Sequence, residues 1–125
     1  MTKILIVDDE ESLRALYSAT LRRAGYEVLT AGNAKKAVEL ALSAKPALIL
    51  LDVMMPSVDG GEAYAYLSGN PATADIPIIF LTSLVREEEA GAGKIGGKEY
   101  ISKSTPLPKF VALVKEALSR ARVKN

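Results

Sequence analysis

The chain has 125 residues, 49% of them hydrophobic and 25% charged, a composition that fits one ordinary globular unit over residues 1–125 with enough apolar side chains to close a core. Its 16 basic and 15 acidic residues leave a net charge of +1, so no overall field draws it to nucleic acid or to a membrane surface. The absence of cysteine and histidine excludes disulfides, thiolate sites and imidazole acid–base chemistry from this chain, and fits a reducing cytosol.

The N-terminus runs straight into the apolar stretch Ile4 to Val7, too brief for a signal-peptide core, and a cytoplasmic location is expected. Lys3 to Val7 reads as a first strand. The segment after it places Leu13, Leu16, Tyr17, Thr20 and Ala24 on one helical face, and Gly25 supplies the stop. Glu27 to Thr30 reads as a weaker second strand. The next helix, with Asn33 as a possible cap, lines Ala34, Ala37, Val38, Ala41 and Leu42 along one small stripe.

No apolar run in the chain is longer than the five residues of Ala47 to Leu51, far below the roughly 20 that span a bilayer, and this run reads as a buried third strand ending at Asp52. Asp59 can cap a third helix from about Gly60 to Leu67, which the stretch Ser68-Gly69-Asn70-Pro71 breaks. Ile76 to Leu81 follows as the fourth strand. Pro77 would remove a ladder donor from a strand centre, so pairing is expected mainly from Ile78.

A fourth helix is expected next, weakened by Gly91, Gly93, Gly96 and Gly97, each costing roughly 1 kcal/mol relative to alanine. Lys98 to Ser102 then reads as the fifth strand. A final amphipathic helix carries Phe110, Leu113, Val114, Ala117, Leu118 and Ala121. The alternation gives an α/β fold, a doubly wound five-stranded parallel sheet with helices on both faces, and the flavodoxin-like order 2-1-3-4-5 is the natural topology.

In such a sheet the C-terminal strand ends open onto one edge, where ligands bind. Asp8, Asp9 and Glu10 follow the first strand there, and Asp52 ends the third. Crowded carboxylates are tolerated when protonated, solvated or neutralised by a cation. With oxygen donors alone, that cation is expected to be Mg²⁺; the loop spacing of a Ca²⁺ site is missing. Thr82 closes the fourth strand and Lys103 the fifth, adding a hydroxyl and an ammonium to the same edge. A carboxylate nucleophile, a metal, a lysine and a hydroxyl are the parts that phosphoryl transfer needs. Taken singly, Thr82 reads more readily as a strand-end β-former and Lys103 as a solvated edge lysine, whereas a solvated acidic loop pair is the weaker alternative to a cation site.

Val7-Asp8-Asp9-Glu10, Leu51-Asp52-Val53-Met54-Met55-Pro56, Asp59-Gly60, Leu81-Thr82-Ser83 and Tyr100-Ile101-Ser102-Lys103 together resemble the receiver domains of bacterial two-component systems, over essentially the whole chain. The resemblance implies that Asp52 is the phosphoacceptor, that Asp9, Asp52 and the Met54 carbonyl ligate Mg²⁺, and that Asp8 assists through water. It implies that Thr82 and Lys103 hold the phosphoryl oxygens and that Tyr100 is a switch aromatic. The implied donor is a sensor histidine kinase, a histidine phosphotransfer protein or a small phosphodonor. The implied recipient is a downstream protein effector, reached through a face of the fourth helix, fifth strand and fifth helix, without direct contact to nucleic acid or membrane. Such a protein is a phosphoacceptor switch that catalyses its own phosphorylation and dephosphorylation, not a turnover enzyme.

Two departures stand out. The family usually places proline directly after the fifth-strand lysine, often through a cis bond, whereas this chain has Ser104 there. A cis bond to a non-proline residue costs about 2.5–4 kcal/mol, and the sequence leaves open whether Lys103 sits differently. The other is the glycine-rich stretch after Arg86, on the output face. Apolar Met54 and Leu84, two positions beyond Asp52 and Thr82, suggest obstruction of an attacking water and slow self-hydrolysis. An aspartyl phosphohydrolase would want a general acid two residues after the nucleophile, where Met54 stands. A phosphate-independent binding module on the same fold is a further alternative. A dinucleotide domain is disfavoured, because no Gly-x-Gly-x-x-Gly follows the first strand.

Overall fold

A computed structural model describes residues 2–52, 60–83, 92–95 and 98–123. In chain order these form β1 (Lys3–Val7), α1 (Glu11–Arg23), β2 (Glu27–Ala31), α2 (Ala34–Ala44), β3 (Leu48–Asp52), α3 (Gly60–Gly69), β4 (Ile78–Thr82), β5 (Ala92–Ile95), β6 (Lys98–Ser102) and α4 (Leu107–Val123). The sheet order is β2-β1-β3-β4-β6-β5. All pairings are parallel except that of β5 with β6, so the expected parallel order is present as β2-β1-β3-β4-β6.

The alternation of each strand sorts the core onto two sides of the sheet. On one side Ile4, Ile6, Leu48, Leu50, Ile79, Leu81 and Ile101 pack against Tyr17 and Leu21 of α1 and against Phe110, Val114, Ala117 and Leu118 of α4. On the other, Leu5, Val7, Ile49 and Leu51 meet Ala34, Ala37 and Ala41 of α2 and Ala63 and Leu67 of α3. The small alanine stripe of α2 is what allows that helix to lie close. Every residue of β3 is buried, as befits the central strand.

Local signals act largely where the sequence places them. Asn33 Oδ1 accepts the backbone N–H of Lys36 at 2.9 Å, capping α2. That helix ends on Lys45 in the left-handed region, at φ 47°. β4 begins at Ile78, and Pro77 still contributes its carbonyl, which accepts from Ile49 N at 3.0 Å. α4 starts just past Pro106, whose carbonyl accepts from Phe110 N at 2.9 Å.

Two expectations are corrected. Leu16 is 43% exposed, and the buried face of α1 instead carries Tyr17, Ser18, Thr20 and Leu21. The five apolar positions used to phase the helix lie close to its true stripe, and a rotation of about one residue exchanges Leu16 for Leu21. The expected fourth helix is corrected only in its last part, from Ala92 on. Residues 84–91, with Leu84 and Gly91, lie outside the described residues, and Ala92–Ile95 form the antiparallel edge strand β5. Ile95 pairs with Lys98, and Gly96 and Gly97, next to each other in sequence between them, lie outside the described residues. A Gly-Gly pair between strands is a hairpin signal, whereas a helix would lose about 1 kcal/mol at each glycine.

Candidate functional site

Register brings the strand ends together. Val7 of β1 lies opposite Leu51 of β3, so Asp8 and Asp52 leave their strands side by side. Asp52 lies opposite Leu81, Thr82 lies opposite Ser102, and the Lys103 N–H extends the ladder by donating to the Thr82 carbonyl at 2.9 Å. Side-chain parity adds direction. Asp8 continues the series Ile4 and Ile6, Asp52 the series Leu48 and Leu50, and Lys103 follows Ile101, all on the side covered by α1 and α4.

The result is a compact charged cluster. Lys103 Nζ lies 3.0 Å from Asp8 Oδ2 and 3.3 Å from Asp52 Oδ2, with Asp8 fully buried and Asp52 2% exposed. Asp8, Asp9 and Asp52 each offer a carboxylate oxygen within 4.8 Å of the others. Asp8 Oδ1 accepts from Glu10 N at 2.9 Å. Its buried Oδ2 meets the Lys103 ammonium at 3.0 Å and, among the described residues, no other donor.

Among the described residues, three carboxylates face one lysine in this pocket, an excess of negative charge. A buried carboxylate oxygen met by a single ammonium, in a cluster whose three carboxylates each place an oxygen within 4.8 Å of the others, is the chemistry that a hard divalent cation satisfies, and the residues therefore fit such an ion. The same excess charge acts on its neighbours. Burial alone would lower the pKa of Lys103, but hydrogen bonding and charge from Asp8, reinforced by Asp52, raise it above the ordinary 10.5. The Tyr17 phenol is raised above 10.0, first by burial and further by Asp8, Asp52 and Glu10, against a lowering influence of Lys103.

For both groups the folded state keeps its proton to higher pH than the unfolded chain. Their contribution is complete below the unfolded values and is lost as pH rises through the folded ones. Denaturant titrations of the metal-free protein should therefore show no loss from these two groups up to about pH 10, then a fall above it. A decline centred near neutrality would contradict this reading.

Of the residues singled out from sequence, Asp8, Asp9, Asp52 and Lys103 are gathered in one cluster. Thr82 is buried at the end of β4, tied to Lys103 through its carbonyl. Tyr100 is half-buried on β6 opposite Phe80. Met54 lies outside the described residues, as do Met55, Pro56 and Asp59. With Ser104 after it, Lys103 still reaches Asp8 and Asp52. No cis bond occurs among the described residues, and Ser102 Oγ accepts from Ser104 N at 3.2 Å and bonds Ser104 Oγ at 2.8 Å, closing the turn with hydroxyls.

Sequence reasoning passed over Arg14. It stands half-buried on α1, and its Nη1 donates to the Asp8 carbonyl at 2.6 Å. The available signal was its spacing: 14, 17, 18 and 21 lie on one face, and a basic residue within an apolar stripe needs an acceptor.

Comparison with known proteins meets this geometry. The model of the response regulator receiver domain matches residues 4–115. The chain is 41% identical over 118 residues to the phosphate regulon transcriptional regulatory protein PhoB of Pseudomonas aeruginosa, covering 94% of this chain and 52% of that protein. It is 32% identical to the polar-differentiation response regulator DivK of Brucella anthropi, covering 94% of this chain and 97% of DivK. Among solved structures it resembles chemotaxis protein CheY4 of Vibrio cholerae, with TM-score 0.79 and 31% identity over 93% of this chain and 98% of that one. The chain thus spans about half the length of the PhoB-type regulators it matches. A parallel sheet whose strand ends gather three aspartates and a lysine, matched by this family model over most of its length, belongs to the response regulator receiver family of two-component signal transduction.

Proposed function

We propose that residues 1–125 act as one phosphoacceptor domain in which Asp52 receives a phosphoryl group. The observation that carries this reading is the ammonium of Lys103 placed between Asp8 and Asp52 at a buried strand edge rich in carboxylates. An Asp52 carboxylate oxygen attacks the phosphorus of the donor in line. The bond from phosphorus to the donor's leaving atom breaks, and its electron pair departs with that group. The product is an acyl phosphate on Asp52. Lys103 lies where it can pair with the added phosphoryl charge, and Thr82 supplies a hydroxyl at the neighbouring strand end.

Asp9, Asp52 and the Met54 carbonyl would hold Mg²⁺, with Asp8 assisting through water. When bound, the ion screens the negative charge of the incoming phosphate and orients it. Added charge on Asp52 then favours the conformer in which Thr82 and Tyr100 have moved, shifting a two-state equilibrium. A sensor histidine kinase or histidine phosphotransfer protein supplies the phosphoryl group, since this chain has no histidine of its own. A downstream protein effector reads the outcome, on the face of β6, α4 and the expected fourth helix, most of whose residues lie outside the described ones. Phosphorylation and dephosphorylation are self-catalysed without further turnover, and a cytoplasmic location follows from this partnership.

Incubation with Mg²⁺ and acetyl phosphate should add a single phosphate by intact mass, and chelation of the metal should prevent it. Absence of the adduct with metal present, or repeated turnover of a generic phosphate ester, would overturn the reading, the latter in favour of a phosphohydrolase.

A further inference from the structure

Asp8 is held at each of its polar atoms. Its N–H donates to the Ala31 carbonyl at 3.1 Å, Oδ1 accepts from Glu10 N at 2.9 Å, and Oδ2 faces Lys103 Nζ at 3.0 Å. Its carbonyl accepts from Arg14 Nη1 at 2.6 Å, a short charge-assisted bond from a side chain outside the acidic cluster.

The guanidinium making that bond rests against Gly32, the residue just past β2. A Cβ at Gly32 would stand 2.9 Å from Arg14 Nη1, 3.5 Å from Cζ and 3.8 Å from Nη2. Gly32 does not have positive φ, so its backbone does not demand glycine. What the missing side chain provides is room for the arginine head.

The Asp8 carbonyl belongs to the planar peptide unit that leads into Asp9. Fixing that oxygen fixes the plane, and with it the direction in which Asp9 leaves the strand. Because the three carboxylates must converge within 4.8 Å, this direction decides whether Asp9 joins the site. We propose that Arg14, seated on Gly32, is a positioning residue that orients the Asp8–Asp9 peptide and so sets the cation affinity of the acidic cluster. The inference rests on the cation site proposed above.

Charge and position make opposite predictions here. A guanidinium near a cation site repels the cation, so electrostatics alone would have an Arg14→Met variant bind Mg²⁺ more tightly. Positioning has it bind more weakly, by about tenfold, the lower end of what loss of a partner supporting a metal ligand typically causes. Gly32→Ala changes no charge and pushes only the far end of a flexible side chain, so the fold should survive it.

The experiment is a calorimetric Mg²⁺ titration of the wild type, Arg14→Met, Gly32→Ala and the double variant, together with exchange of the Glu10 amide proton in metal-free protein. Each single variant should raise the Kd about tenfold, the double variant should be no weaker than Arg14→Met alone, and Glu10 exchange should quicken in all three. Unchanged or tighter binding in Arg14→Met, or a Gly32→Ala penalty that persists in the Arg14→Met background, would overturn the proposal. A wild type that binds no Mg²⁺ would overturn the cation site instead. Glu10 exchange then judges the Arg14 contact by itself, quickening supporting it and an unchanged rate refuting it.

Discussion

Asp52→Asn should abolish phosphate uptake from acetyl phosphate while leaving the fold intact. Asparagine keeps the shape of the side chain at the end of β3, where Asp52 is 2% exposed, but its amide is no nucleophile toward phosphorus. Lys103 retains Asp8 as a partner at 3.0 Å, so no buried charge is stranded. Removing one of three clustered carboxylates also relieves repulsion, and the thermal midpoint in metal-free buffer should not fall. Phosphate still incorporated by the variant, at a level near that of the parent, would mean that another side chain is the acceptor.

Lys103→Met should have the opposite profile, with a large stability cost and a slowed reaction. Methionine fills similar volume but withdraws the cation that faces both Asp8 and Asp52. Breaking a buried pair by removing one partner costs about 3–5 kcal/mol, and the half-buried Asp9 at the rim argues for the lower end. Saturating Mg²⁺ should recover part of this loss, because an ion bound only to the folded state stabilises it by mass action. The metal-induced rise in melting temperature should therefore be larger in the variant than in the parent. Phosphate uptake at saturating metal should slow by roughly 10²-fold, the loss expected for one donor to transition-state charge. Equal melting temperatures for variant and parent without metal would show that the ammonium does not neutralise the pocket.

The site was largely legible because strand ends are. The β-branched and leucine-rich runs Ile4–Val7 and Leu48–Leu51 form buried strands, and in a parallel sheet their C-terminal neighbours share one edge whatever the helices do. Asp8, Asp52 and Lys103 follow from that rule without knowledge of any side-chain contact. The edge formed by β5 and β6 was less legible, because the glycines near 93–97 carry two meanings. Each penalises a helix, and a central pair also favours a hairpin; only the pairing of Ile95 with Lys98 selects the second. The contact of Arg14 with Gly32 is hidden for a different reason. It joins residues 18 positions apart where the guanidinium occupies the space a Cβ would need, and no local pattern encodes it. Leu16 shows the limit of periodicity itself: on a helix of 13 residues with mixed small side chains, an error of one position moves a leucine from core to solvent.

The account depends on one cation and one phosphoryl group sharing the pocket built by β1, β3, β4 and β6. A crystal structure of the protein with Mg²⁺ and fluoroberyllate tests this directly. The expected result is a metal about 2.0–2.1 Å from oxygens of Asp9 and Asp52, with the phosphoryl mimic joined to Asp52 and Lys103 Nζ turned onto its oxygens. A mimic bound elsewhere, or a metal that leaves Asp52 uncoordinated, would contradict it.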